Sequence, residues 1–275
     1  MKKNAMIAAF SLLVSLVLPA CGTTQTQSQA QPPTQNQATE SNNLLGQIKA
    51  DGKIRIGTEG TYPPYTFHDA SGKLIGFDVE IAEEVASRLG VKPEFIETQW
   101  DGMFAGLDSK RFDIIVNQVG IRPDRQAKYD FTEPYIVSKP VLIVRKDNDS
   151  IKNFADLKGK KAAQTLTSNY KDIAVSKGAE IVGVEGFNQS IDLLASSRAD
   201  AVVNDGLSYL DFIKQKPDAP VKVVAELDEP AIMGIMLRKD NKELVEALNK
   251  ALSDMKKDGK YLEISQKYFG TDVSK

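Results

Sequence analysis

The sequence predicts an α/β protein made of two lobes of similar construction, with a cleft where the ends of their sheets face each other. Three observations carry this. From residue 53 onward short apolar strands alternate with helical stripes, the pattern of an α/β layer. Phe112 to Val116 is a continuous apolar run between polar neighbours, as expected of a buried strand in a mostly parallel sheet. The stretch LDSKRFDIIVN (107–117) returns as LASSRADAVVN (194–204), with Leu, Ser, Arg, Asp, Val and Asn at matching positions, six of eleven.

Taken in order, Lys53 to Gly57 reads as a strand opening into the loop Thr58 to Pro64. Phe77, Ile81, Val85 and Leu89 are spaced by four, one stripe of a helix that Gly90 can cap. Pro93 to Glu97 is a second strand and Met103 to Ser109 a second helix. Each copy of the echo reads as a helix end, a charged turn and a buried strand finishing at Asn. A weaker echo sets KIRIGTEGTY (53–62) beside KAAQTLTSNY (161–170). Chance likeness between two α/β units is the plain alternative for both. Tyr135 to Val144 and Glu229 to Leu237 are extended and apolar, suited to crossing between lobes. Leu244, Val245, Leu248, Leu252 and Met255 share a helical face stopped by Gly259, and Leu262 to Phe269 is a last amphipathic segment that should return to the first lobe. Ligands bind outside the carboxyl ends of strands in open α/β sheets, so two facing sheets would make a binding cleft.

The N-terminal residues speak for export. Lys2 and Lys3 precede an apolar run, Ala5 to Leu18, which has the length of a signal peptide and is short of a membrane span of about 20 residues. It ends in Leu18-Pro19-Ala20-Cys21, which resembles the lipobox of bacterial lipoproteins, where the Cys is diacylated and becomes the mature N-terminus. Cys21 is the only cysteine, so no intramolecular disulfide forms and a lone exported thiol wants a dedicated use. The following TTQTQSQAQPPTQNQATESNN buries too little to offset its ordering entropy. It should be a tether, spanning roughly 25 Å on average. A formal charge of −2 with no basic stripe gives no sign of nucleic-acid binding, and no second apolar run suggests a membrane span. His68 is the only histidine, so no His-based triad or His-Cys metal site can be assembled.

Several motifs together resemble the polar amino-acid binding proteins of bacterial ABC importers, extracellular solute-binding proteins of family 3: GTEGTYPPY (57–65), IGFDVEIAEEVASRLG (75–90), QWDGMFAGLDSKRFDIIVNQVG (99–120), RPDRQAKYDFTEPY (122–135) and SRADAVVNDGLSYL (197–210). TQWDGMFAGLDSKRFD, with NQVG and KYDF, is most similar to the L-cystine-binding lipoproteins among them. The resemblance implies a two-lobed, type II periplasmic-binding-protein-like fold, its hinge-linked lobes holding the ligand cleft between them. The organisation it implies is a signal peptide over 1–20, lipidated Cys21 and tether over 21–42, lobe 1 over 43–137 plus 232–275, and lobe 2 over 138–231. It implies no enzyme and no cofactor, but a monomeric, membrane-anchored extracytoplasmic receptor that hands an amino acid, cystine, to a permease driven by a separate ATPase. The chain has no phosphate-binding loop of its own.

By the same resemblance, Arg125 grips the ligand α-carboxylate, Asp205 receives the α-ammonium, Tyr62 and Trp100 sandwich the side chain, and Gly120 and Ser168 hydrogen-bond the carboxylate. Relatives carry Ser or Thr where Gly120 stands, so a hydroxyl contact is missing here. The chemistry suits the roles. A zwitterion enclosed in a cleft needs both charges matched, and a guanidinium offers a carboxylate two parallel hydrogen bonds that Lys cannot. Each residue also has a plainer reading: Arg125 in the charged run 122–128, Asp205 as a helix N-cap, Tyr62 and Trp100 as core aromatics. Glu59 and Asn169 are further candidate side-chain contacts, or solvated loop residues. Other outcomes are a binding protein for glutamine, histidine or arginine, a sensor partner signalling to a membrane receptor, or a cyclohexadienyl-dehydratase-like enzyme using Glu59 or Asp101.

Overall fold

The computed structural model describes residues 43–275; the expected signal peptide, the lipidated Cys21 and the tether lie outside the described residues. Helix α1 (Leu44–Asp51) starts at Asn43, whose side chain accepts the Gly46 N–H at 2.8 Å. Strand β1 (Lys53–Thr58) follows, then the short antiparallel β2 (Thr61–Tyr62), β3 (Thr66–His68) and β4 (Leu74–Ile75). Helix α2 (Phe77–Leu89) buries Phe77, Ile81 and Val85 and ends at Gly90 in the left-handed region. Its start also demands glycine. Gly76 has φ 136°, and a Cβ there would lie 2.1 Å from the Tyr65 carbonyl oxygen.

Strand β5 (Lys92–Glu97), α3 (Trp100–Asp108), β6 (Ile114–Ile115), the one-turn α4 (Pro123–Gln126) and β7 (Tyr129–Phe131) complete the first pass through this lobe. Helix α3 begins three residues before the expected Met103, because Trp100 opens the buried face that Met103 and Leu107 continue. Strand β8 (Ile136–Ser138) leads to the second lobe: β9 (Pro140–Arg145), a 3-10 turn (Phe154–Leu157), β10 (Lys161–Gln164), α5 (Asn169–Ser176), β11 (Glu180–Gly183), α6 (Phe187–Ala195), β12 (Val202–Asp205), α7 (Gly206–Gln215) and β13 (Val221–Glu226). Strand β14 (Ala231–Met233) returns antiparallel to β8. Strand β15 (Met236–Arg238), α8 (Lys242–Asp258) and α9 (Lys260–Phe269) then close the first lobe, both helices packing on α2. The expected lobe limits fall inside or at the edges of β8 and β14.

The sheets are mixed, not mostly parallel. The first runs β5-β1-β6-β15-β7, with β1 parallel to β5 and β6 but β15 antiparallel to β6 and β7. In the second lobe β10 and β11 are parallel, whereas β9 runs against both β12 and β13. The reason is in the connections. Parallel neighbours need a long, usually helical crossover, but β9 and β15 arrive straight from β8 and β14.

The strong echo is a repeated structural unit. Leu107 and Leu194 are both fully buried. Lys110 and Ser197, at matching positions, have φ 61° and 59°, rare for residues with a Cβ. Asp113 accepts the backbone N–H of Arg55 at 2.9 Å and Asp200 that of Lys161 at 2.8 Å. These bonds make Arg55 the counterpart of Lys161. The weaker echo was therefore out of register by two residues, and Tyr62 is not the counterpart of Tyr170. Among the described residues, no helix is long and apolar enough to cross a membrane.

Candidate functional site

A cavity opens where the strand ends meet. The residue after β1 supplies Glu59, that after β6 is near Asn117 and Gln118, β10 leads to Thr165 and Ser168, and β12 carries Asn204. Of the expected site residues, Glu59, Tyr62, Trp100, Ser168 and Asn169 line it. Gly120, Arg125 and Asp205 stand behind the lining, in contact with residues that form it.

Arg125 is 5% exposed. Its guanidinium donates to the carbonyls of Gly120 and Thr167, each at 3.1 Å, and lies 5.6 Å and 5.2 Å from the ring centroids of Trp100 and Phe104. It enters no ion pair among the described residues, whereas neighbouring Arg122 pairs with Asp124 and Asp172. Burial pulls the Arg125 pKa down to about 10, with the Arg122 charge acting the same way.

Asp205 is fully buried. It caps α7 by accepting the Ser208 N–H at 3.0 Å, and it accepts the hydroxyls of Tyr65 at 2.6 Å and Tyr170 at 3.3 Å. It too has no ionic partner among the described residues. Burial raises its pKa, against these hydrogen bonds. Capping therefore does not exhaust it: a carboxylate offers about four acceptor sites, and three are engaged.

The wall between them is mixed. The Tyr62 hydroxyl donates to Asn204 Oδ1 at 3.3 Å, and its ring meets Phe187 edge-on, centroids 6.2 Å apart. Trp100 packs with Met103 and Leu107 and also lines the cavity. Three buried polar atoms of lining residues lack a partner among the described residues: Trp100 Nε1, Gln118 Oε1 and Asn204 Nδ2. Ser168 caps α5 by accepting the Tyr170 N–H at 3.1 Å, which puts the positive end of that helix dipole at the cavity. A Cβ on Gly120 would find ordinary van der Waals distances, 3.5 Å to Arg125 Nη1 and 3.8 Å to Asn169. Sterics do not exclude a Ser or Thr at this position.

Glu59 is the one carboxylate lining this cavity among the described residues. Its Oε2 accepts from Asn117 Nδ2 at 2.6 Å, and its N–H donates to Asn117 Oδ1 at 2.7 Å. Burial raises its pKa from an ordinary 4.5 to about 7. Gly186 of the second lobe faces this carboxylate, a Cβ there lying 3.9 Å from Glu59 Oε1, so parting the lobes should hydrate Glu59 and move its pKa toward the ordinary value. A raised carboxyl pKa disfavours closure above about 7 and progressively less as pH falls toward 4.5. Unliganded protein should therefore shift toward closed forms across that window, and Glu59→Gln should remove this component. Fluorescence transfer between labels on the two lobes measures it, and identical pH profiles for both proteins would rule it out.

The lobes are drawn together by hydrogen bonds across the cleft. Asp101 accepts the N–H groups of Leu166 (3.0 Å) and Thr167 (2.9 Å) and the Thr167 hydroxyl (2.7 Å). Arg122 reaches Asp172 at 2.7 Å, and the Ser208 hydroxyl donates to the Pro63 carbonyl at 3.0 Å. Both Asp101 oxygens are thus engaged in closure, a poor state for a general acid or base. Asp101→Ala should weaken ligand binding by about tenfold, the net worth of one to two such bonds, by speeding release. Stopped-flow dissociation checks this, and an unchanged release rate would contradict it.

Tyr65, Asn117, Gln118, Tyr170, Phe187 and Asn204 were not singled out from sequence. Asn117 and Asn204 carried a signal, as the last residue of each echoed segment. Tyr65 and Phe187 did not, because their place depends on how loops of different lobes meet.

The family model for bacterial extracellular solute-binding proteins, family 3, matches residues 54–271. The chain is 45% identical to the L-cystine-binding protein TcyA of Bacillus subtilis, over 99% of this chain and 100% of the relative. The L-cystine solute receptor of Neisseria gonorrhoeae, in its unliganded open conformation, is 46% identical with a TM-score of 0.57, covering 84% of this chain and 99% of that one. An ancestral arginine-binding protein bound to arginine, 41% identical, reaches a TM-score of 0.75 over 79% of this chain and 98% of that one. The chain belongs to the bacterial extracellular solute-binding proteins, family 3.

Proposed function

We propose that the chain is the substrate-binding lipoprotein of an amino-acid ABC importer and that its ligand is L-cystine. One observation supports the amino-acid reading above all: Arg125 from the first lobe and Asp205 from the second are buried charges of opposite sign without ionic partners among the described residues. A buried charge is costly until matched, and an α-carboxylate with an α-ammonium matches this pair and joins the lobes. Ser168 and the start of α5 add to the carboxylate side. Cystine has a second amino-acid head, and Glu59, with Asn169 and Asn204, offers that head acidic and amide partners. The cystine-binding relatives point the same way.

Closure works by population shift. Contacts to the ligand that are made only when both lobes engage it bias the equilibrium toward the closed form. That form, a monomer held at the membrane by lipidated Cys21, docks on the permease and releases its ligand, and a separate ATPase supplies the energy. Cys21→Ser should release the protein from the membrane and abolish incorporation of labelled fatty acid. Retention of label would remove Cys21 as the acceptor.

Calorimetric titration with cystine, cysteine, glutamine, histidine and arginine tests the ligand. Cystine should bind at micromolar level or better. A panel in which cystine fails and another amino acid binds would overturn the cystine assignment. Glu59, in the cavity with a pKa near neutrality, is a feature that favours a dehydratase, and turnover of prephenate would overturn a purely binding role.

A further inference from the structure

Behind the cavity another buried carboxylate serves neither closure nor the zwitterion pair. Asp78, in the first turn of α2, is fully buried. Its Oδ2 accepts the Gln118 N–H at 2.8 Å. Its Oδ1 accepts Gln118 Nε2 at 3.2 Å and the Tyr135 hydroxyl at 3.0 Å. Gln118 is itself held at φ 54°, a left-handed backbone that is strained for a residue with a Cβ and persists only where its surroundings enforce it. The bond from the Gln118 N–H to Asp78 is a contact of that kind. Gln118 lines the cavity, is 6% exposed, and its Oε1 is one of the unpartnered buried atoms.

The chemistry of the two side chains sets their polarity. An ionised carboxylate only accepts, so it selects the NH2 side of the Gln118 amide and turns the carbonyl side the other way. We propose that Asp78 is a positioning residue for ligand recognition: it locks the Gln118 amide so that Oε1 is presented to the cavity as an acceptor for a ligand ammonium group. This rests on the amino-acid reading above but not on cystine, since every α-amino acid carries that ammonium. The same carboxylate fixes Tyr135, whose N–H donates to the Met233 carbonyl at 3.0 Å at the end of β14. The amide is thus anchored beside the connection between the lobes.

The test exchanges the polarity of the pair. Burial pulls the Asp78 pKa up to about 7, so binding is measured by calorimetry near pH 8, where the carboxylate is ionised. Asp78→Asn lets the Gln118 amide turn over and present its NH2 to the ligand ammonium, so cystine affinity should fall by about tenfold or more. Gln118→Glu alone opposes two carboxylates and should also weaken binding. With both substitutions made, the amide now at position 78 can donate to one oxygen of the carboxylate now at position 118, and the other oxygen faces the cavity. The double variant should therefore recover to within roughly threefold of wild type. Such rescue is not expected of a merely structural residue.

Asp78→Asn that binds as wild type, or a double variant no better than Asp78→Asn, overturns the proposal. Should Asp78→Asn fail to fold, side-chain amide NMR of the wild-type complex decides. The Gln118 Nε2 protons should show through-space contacts to protein and none to ligand, and contacts to the ligand would overturn the proposal. Wild-type protein that binds no amino acid overturns the functional reading, whereas normal wild-type binding with the wrong variant pattern overturns the role of Asp78 alone.

Discussion

Arg125→Met weakens amino-acid binding roughly hundredfold or more while leaving the unliganded protein as stable as wild type or more so. Methionine keeps the packing against Trp100 and Phe104 that the arginine stem and guanidinium now make, but offers nothing to a carboxylate. Removing one partner of a desolvated charge pair costs about 2–5 kcal/mol. Every 1.4 kcal/mol being about tenfold, the dissociation constant should rise roughly hundredfold or more. Stability should move the other way, because an arginine buried without an ionic partner among the described residues is a burden to the free protein. Arg125→Lys should rescue little, since it cannot form two parallel bonds. Urea unfolding and calorimetry on the same samples check both halves. Binding within about threefold of wild type would take Arg125 out of the site.

Asp205→Asn is the mirror experiment on the second lobe. Asparagine is as good an N-cap as aspartate, so the bond from the Ser208 N–H that starts α7 survives. The charge does not. The ligand ammonium would meet a neutral amide at a fully buried position, and affinity should fall by about 2–4 kcal/mol with little loss of stability. Asp205→Ala would confuse the two effects by removing the cap and leaving the Tyr65 and Tyr170 hydroxyls without their acceptor. A variant that loses stability and affinity in proportion would mean that Asp205 acts only as a cap. One that binds as wild type would exclude it from the ammonium site.

Much of the fold was legible because its signals are local. The four-residue spacing from Phe77 to Leu89 and Gly90 as its stop mark α2 to the residue, and the six shared positions of the echo mark two units whose Asp113 and Asp200 do the same work. Strand direction was not legible, because it depends on whether a strand follows a helix or arrives from the other lobe, as β9 and β15 do. The site divided along the same line. Residues on motifs, such as Glu59, Tyr62 and Trp100, face the cavity. Tyr65 became visible only when the lobes met, since its Asp205 partner is 140 positions away. Gln118 was missed for another reason: its importance lies in a left-handed backbone and a buried carboxylate behind it, and neither leaves a pattern of spacing.

The central claim, that a zwitterion bridges Arg125 and Asp205, can be tested on the native protein by calorimetric competition among three ligands. These are cystine, its dimethyl ester, which lacks the free carboxylates, and 3,3′-dithiodipropionate, which lacks the ammonium groups. Cystine should bind at micromolar level or tighter, and each of the others at least roughly hundredfold more weakly, because each strands one buried protein charge. Binding of either analogue within a few-fold of cystine would contradict the bridge.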